Sequence, residues 1–317
     1  MIEAYLIQFI IFVSFLLVLF FIRSKNRLDV IIFSGSFSLL TAVMYLLLDA
    51  PDVAMTEAAV GVLITIFSIY ALKAMNSADE ELKDKFNPIL FILALGLASL
   101  LIYAAADLPE FGNKYAISQQ TLATYYIENT HKEIGVDSVV AAILASYRGF
   151  DTLLETLVIL VGGLSVLLIS PFIASEAKQS IHEPASDLLT SKLVRFVLPL
   201  IILFGLYLQI HGEISPGGGF QAGAIIATGF ILYDMVIGKR QMSKRQSLAK
   251  IAILGWSVYF ITGIISLLLG AEFLNYNIIG QKLGIMTVEL GVGIAVSATL
   301  LLIYFCLSED INDQSKL

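Results

Sequence analysis

His211-Gly212-Glu213-Ile214-Ser215-Pro216-Gly217-Gly218-Gly219-Phe220-Gln221 sets polar and glycine residues between two long apolar runs. Three consecutive glycines do not continue a helix cheaply, and in hydrocarbon every backbone N–H and C=O they free must find a partner in protein or water. The stretch is therefore either a turn at a membrane surface or a functional break in a membrane segment. Ser215 and Pro216 read as a helix start, with Gly217, Gly218 and Gly219 allowing close approach there. Gly219, Gly223 and Ala227 recur every fourth residue, the small face on which membrane helices pack. The run from Gly217 through Gln221 to Ala222 also matches G-x-G-x-x-A, but that fingerprint has meaning only between a strand and a helix, so nucleotide binding is excluded.

The runs on either side set the class. The 317 residues are 58% apolar and 14% charged, with a mean hydropathy of +0.87. That composition belongs to a polytopic membrane protein. A span needs roughly 20 apolar residues, and nine candidates emerge at 3–22, 28–48, 52–74, 88–106, 151–172, 193–211, 219–238, 249–270 and 283–307. The first is read as a retained span, because Glu3 precedes it and Arg23, Lys25 and Arg27 follow it. Placing alternate loops on opposite sides collects fifteen of the nineteen Lys and Arg on one side. By the positive-inside rule the N-terminus is expected outside and the C-terminus in the cytoplasm. The glycine stretch then faces outward.

The fold expected is all-α, in three modules: 1–80, 81–175 and 190–310. Charged linkers at 75–87 and 173–190 separate them. The long outer segment 107–150 carries an apolar stripe, Val136, Val139, Val140, Ile143, Leu144 and Tyr147, which predicts a short helix lying on the membrane or on a neighbouring protein. With one cysteine, Cys306, and no Cys/His cluster, an internal disulfide and a zinc site are excluded. The net charge of −7 comes without a basic stripe, so no nucleic-acid partner is expected.

Charges inside spans each call for a reason, since insertion of one costs about 2.5–3.5 kcal/mol. Pro51 fits the first turn of the third span, where Asp49 and Asp52 act as helix-end caps or as functional acids. Glu57 lies deeper, with no basic residue at i±3 or i±4, and is a candidate to exchange a proton or bind a cation. Asp151 and Glu155 share a helix face at i, i+4; Arg148 can pair with Asp151, which leaves Glu155 as a second intramembrane acid. Glu289 is a third. Asp234, near the cytoplasmic end of its run, is expected to be solvated, and His211 and Glu213 flank the glycine stretch as outer-loop polar groups or proton carriers.

The residues from Asp49 through Glu57 to Gly61 resemble the MbhD-type signature near the C-terminal end of the large MrpA protein. Arg148-Gly149-Phe150-Asp151-Thr152 with Glu155 resembles the MbhE-type segment that follows it. His211 to Gly223 is similar to the His-Gly-His-x-Ser-Pro-Gly-Gly-Gly-Phe-Gln-Gly-Gly core of MnhB/MrpB proteins, whose hydrogenase counterpart is MbhF. Glu213 stands where that pattern has a second His, and Ala222 where it has Gly. The resemblance implies a subunit of an Mrp-type sodium/proton antiporter, or of a related hydrogenase-type membrane arm, in a prokaryotic cytoplasmic membrane. Its implied partners are other Mrp/Mbh-type subunits, lipid, sodium and protons. Carried over by position, Asp49, Asp52, Glu57, Asp151, Glu155 and His211 match motif residues. No cofactor, fixed metal or bond chemistry is expected of the chain itself. Two other readings stand beside this one: a structural subunit packing larger pumps together, and a stand-alone carrier, disfavoured because no pair of broken helices in repeats is seen.

Overall fold

The computed structural model describes residues 2–74, 87–110, 112–113, 115–117, 119–176, 188–237, 245–278 and 280–308. In chain order its α-helices are α1 Ile2–Arg23, α2 Arg27–Leu47, α3 Pro51–Ala74, α4 Pro88–Ala105, α5 Thr124–Glu133, α6 Val139–Ala142, α7 Gly149–Glu176, α8 Leu188–His211, α9 Gly219–Ile237, α10 Arg245–Leu268 and α11 Gln281–Ser308. There is no strand among the described residues, and nine of these helices are long and apolar enough to cross a membrane, as expected. Most of the linker 75–87 and the middle of the linker 173–190 lie outside the described residues, with Lys83, Lys85 and Lys178; so do Lys114, Lys239, Arg240, Lys244 and Lys316.

Local chemistry sets the helix starts. Asn26 accepts from Leu28 N to cap α2, and Asn87 accepts from Ile89 N and Leu90 N ahead of Pro88 in the first turn of α4. Between α2 and α3 the chain reverses at Asp49, whose φ of +56° is a left-handed conformation that Asp tolerates better than most residues. Pro51 then opens α3.

The core is built around α11, which packs against α10, α9, α7, α3 and α8. Small residues make this possible. A Cβ on Gly223 would sit 2.7 Å from the Gly293 carbonyl, and one on Gly255 2.8 Å from the Gly291 carbonyl, so the backbones of α9 and α10 run directly against α11. Ala222, Ala224 and Ala227 on α9 are fully enclosed. Close backbone approach of this kind supplies the van der Waals contact that holds membrane helices together where lipid tails are as apolar as leucine. At the other extreme, α4 has no buried residue.

The outer segment departs from expectation. A π-helical turn, Ile143–Tyr147, continues α6, so a short helix does run through the predicted stripe. Its buried face, however, is Ala141, Ala142 and Ala145, while Val140 and Leu144 of the stripe are exposed. The segment packs into its own chain, fastened by the Tyr276 hydroxyl donating to Ala145 O at 2.9 Å. Alanine admits that close approach where valine and leucine do not. Upstream, the Glu133 carboxylate accepts from the hydroxyls of Tyr125 (2.9 Å) and Tyr147 (2.7 Å), tying α5 to the π-turn.

Candidate functional site

The glycine stretch is a turn, and its two central residues need glycine: Gly217 has φ +154° and Gly218 φ +134°. These conformations delay α9. Its first intrahelical bond runs from Ala222 N to Gly218 O (3.0 Å), and the Ser215 hydroxyl donates back to His211 O (3.2 Å). Ser215 and Pro216 therefore finish the turn after α8 instead of starting α9, because the backbone reverses after them. Gly218 N donates to Leu208 O, which folds the turn down onto α8.

From α3, Asp52 reaches this turn: its Oδ1 accepts from Gly217 N at 2.7 Å, and the side chain is 9% exposed. From α11, the Glu289 carboxyl lies against the same turn. A Cβ on Gly212 would come within 3.1 Å of Glu289 Oε2, one on Gly218 within 3.5 Å of Oε1, and one on Gly219 would run into the Glu289 carbonyl. The glycines thus open room for a carboxyl as well as for a turn. Glu213, 5% exposed, points its Oε2 at Lys282 Nζ, 3.4 Å away at the start of α11, and its backbone oxygen accepts from Ser138 N.

Beneath the turn is a cavity of about 100 Å³, space for several waters. Its polar lining is Thr56 of α3, Thr152 and Glu155 of α7, Gln221 of α9 and Glu289 of α11, closed by Gly217 to Gly219. Val140, Ala141, Leu144 and Ala145 form a wall. Tyr259 of α10 also lines it and donates to Gly149 O at 2.8 Å, while Thr152 donates to Leu144 O at 2.8 Å. Glu289 is the more enclosed acid, whereas Glu155 stands at the mouth, exposed on the flank of the chain. The cavity offers carboxyl, hydroxyl and amide oxygens to a proton, water or monovalent cation.

The other candidate residues lie around this centre. Arg148 and Asp151 form an exposed pair at 2.6 Å beside the entrance. Asp49 is exposed at its turn. Glu57 points away from the cavity into the α2–α3 seam, where it accepts from the Ser38 hydroxyl at 2.5 Å. His211 ends α8, its ring stacked on Tyr207 with centroids 4.3 Å apart and Nδ1 3.2 Å from Tyr207 O. Asp234 corrects expectation: it is 3% exposed, and the Tyr304 hydroxyl donates to its Oδ2 at 3.0 Å. Its place on the inner face of α9 takes it out of solvent.

Sequence reasoning did not find Thr56, Thr152, Tyr259 and Lys282. Thr56 and Thr152 lie inside the stretches that resemble the MbhD and MbhE signatures, which was the available signal; nothing one-dimensional marks Tyr259 or Lys282.

Outside the spans, the hydrogen bond to Glu133 raises the Tyr125 hydroxyl and burial raises that of Tyr276, and two further groups of the outer segment are perturbed. Hydrogen bonds from Tyr147 and Tyr125 hold the Glu133 carboxyl below its usual range. Burial, with the Glu133 bond second, pushes the Tyr147 hydroxyl up to about 12.

Known proteins resemble the chain in sequence and in fold. Residues 12–77 match the family MbhD, the D component of MBH, 110–187 match MbhE, its E component, and 189–302 match the domain related to the MnhB subunit of Na+/H+ antiporter. The A/B component of a probable K+/H+ antiporter from Rhizobium meliloti (strain 1021) is 26% identical over 286 residues, 79% of this chain and 28% of its own length. The A component of the Na+/H+ antiporter from Alkalihalophilus pseudofirmus is 29% identical over 146 residues, 45% of this chain and 18% of its own. The chain thus spans under a third of the length of these relatives. In the Mrp complex from Dietzia sp. DQ12-45-1b a chain superposes with a TM-score of 0.72 at 20% identity, covering 96% of this chain and 35% of that one. An archaeal respiratory complex, the membrane-bound sulfane sulfur reductase, holds a chain that superposes with a TM-score of 0.52 at 29% identity, over 68% of this chain and 95% of its own. The three family matches together take in most of the sequence, a multi-pass membrane protein with MbhD-, MbhE- and MnhB-like domains.

Proposed function

We propose that the chain is a membrane component of a multi-subunit monovalent cation/proton antiporter and that its cavity acids form part of the ion path. It is divided into modules 1–80, 81–175 and 190–310, lies in a prokaryotic cytoplasmic membrane with its N-terminus outside and C-terminus inside, and works beside other Mrp/Mbh-type subunits. The observation that carries this reading is the cavity shared by Glu155 and Glu289 beneath the glycine turn. Two carboxyls beside hydroxyl and amide groups in an apolar wall can hold a proton or sodium in turn, and a charge there has few other reasons to persist. Glu57, in the neighbouring seam, is a supporting acid.

The test is sodium-dependent proton flux in everted vesicles carrying the assembled complex. Glu155→Gln and Glu289→Gln are each expected to abolish flux with assembly intact; unchanged flux in both sinks the proposal and favours a protein that only packs larger pumps together.

A second reading, as a membrane-arm component of an ion-pumping oxidoreductase, is favoured by the archaeal respiratory complex at 29% identity. Identification of a redox protein in the purified complex selects it.

A further inference from the structure

The turn between α1 and α2 carries three basic residues, Arg23, Lys25 and Arg27, against one acid, Asp29, whose carboxylate accepts from the Ser24 hydroxyl at 3.3 Å. Arg23 ends one apolar span and Arg27 begins the next, so the turn sits where hydrocarbon gives way to headgroups. Arg23 and Lys25 are exposed there.

Below the turn α1 and α2 do not close on one another. Leu17, Val18 and Phe21 of α1 and Phe33, Ser34 and Phe37 of α2 line a groove of about 180 Å³. Phe20 and Phe33 touch beside it, with ring centroids 6.4 Å apart. Among the described residues, Val18, Phe21 and Phe37 are 39%, 40% and 41% exposed, so the groove opens on the flank of the chain. α1 packs chiefly on α2, and Ile10 is the one buried residue among its described side chains. At 1.5 Å per residue, the lining runs from about 3 Å below Arg23, at Phe21, to about 15 Å below Arg27, at Phe37. That is the depth of one leaflet in a hydrocarbon core about 30 Å thick.

An apolar wall alone selects nothing in a bilayer, because lipid tails are as apolar as leucine. Charge at the mouth of the groove does select. A basic residue beside the headgroups favours an anionic lipid about fivefold. The groove is also narrow, fit for one hydrocarbon chain and not for a helix about 10–12 Å across. A phospholipid carries both parts in the right order, a phosphate above and a chain below.

We propose that the α1–α2 groove is a binding site for an anionic phospholipid, with one acyl chain against Phe21, Phe33 and Phe37 and the headgroup phosphate held by Arg23 and Lys25. The bound lipid fastens α1 to α2 where the two helices leave a gap. This site is independent of the antiporter reading.

Photocross-linking tests it. The purified protein, with whatever subunits accompany it, is placed in phosphatidylcholine nanodiscs containing a trace of diazirine-acyl phosphatidylglycerol or of phosphatidylcholine with the same reactive chain. Peptide mass spectrometry then locates the label. Phosphatidylglycerol should label residues 17–37 more heavily than phosphatidylcholine, by about fivefold for each basic residue engaged. Arg23→Gln combined with Lys25→Gln should remove that excess and leave the phosphatidylcholine labelling in place. Ser34→Phe, which fills the groove and keeps the charges, should remove labelling by both lipids. Raising the salt should shrink the excess in the unmodified protein, and it decides the matter if a variant fails to assemble. Equal labelling by the two lipids at low salt, or an excess that survives the double substitution, overturns the site. Absence of label from residues 17–37 with either lipid means that protein covers the groove, and overturns it too.

Discussion

The Gly217 backbone N–H donates to the Asp52 carboxylate at 2.7 Å across 165 residues of sequence. This bond clamps the first turn of α3 to the turn between α8 and α9, joining the MbhD part of the chain to the MnhB part. Asp52→Ala, which leaves that N–H without an acceptor, is expected to destabilise the junction by about 1–3 kcal/mol. Asp52→Asn keeps an acceptor oxygen and should lose less. Thermal unfolding of the detergent-solubilised complex should rank the two in that order; equal melting of both variants and the unmodified protein contradicts it.

Gly219→Ala should do more harm than any polar substitution here, because its methyl runs into the Glu289 backbone, which cannot turn aside as a side chain can. Overpacking of a rigid contact costs about 1–3 kcal/mol or more. Gly96→Ala on α4, which has nothing within 4 Å of the new carbon, is the matched control and should be silent. Yields of monodisperse protein compare them.

Ser38→Ala removes the hydroxyl that donates to Glu57 in the α2–α3 seam. The acid then lacks this partner, at a cost of about 1–3 kcal/mol. Glu57→Gln should be milder in stability and should lose less flux than Glu155→Gln, since Glu57 points away from the cavity. Equal loss of flux in both variants places Glu57 in the path.

The outer segment should respond to pH on both sides. Glu133 is held below its usual range, so its contribution is full above the unfolded value near 4.5 and is lost as pH falls through the lower, folded value. Tyr147 is raised to about 12, so its contribution is full below 10.0 and is lost as pH rises toward 12. Hydrogen-exchange protection of residues 124–147 should therefore be flat at neutral pH and fall at both extremes. Tyr147→Phe should flatten the alkaline fall, and loss of protection confined to neutral pH argues against the linkage.

Hydropathy made the nine spans legible because the length of an apolar run answers to the thickness of the bilayer. It did not tell which way each helix turns. A soluble helix advertises its buried face by contrast with polar residues, but on a membrane helix lipid and protein interior are equally apolar. Thus the stripe with Val140 and Leu144 gave no sign that Ala142 and Ala145 on the same short helix pack into the chain's own interior, and Glu57, the most conspicuous lone acid, faces Ser38 and not the cavity. Glu155 and Glu289 were recognisable as acids without local partners; their meeting in one cavity depends on contacts between helices distant in sequence. The burial of Asp234 by Tyr304, seventy residues on, had no local signal at all.

Glu155 stands exposed on the apolar flank of α7, a turn and a half below its start at Gly149. Lipid does not solvate a carboxyl there, and the mismatch costs about 2.5–3.5 kcal/mol if the group stays charged. A solitary copy of the chain is therefore the less contented species in a bilayer, and enclosure of that flank by a polar neighbour relieves it. The acid we propose for the ion path thus also marks the orphaned chain, as a polar flaw that a partner's surface would cover.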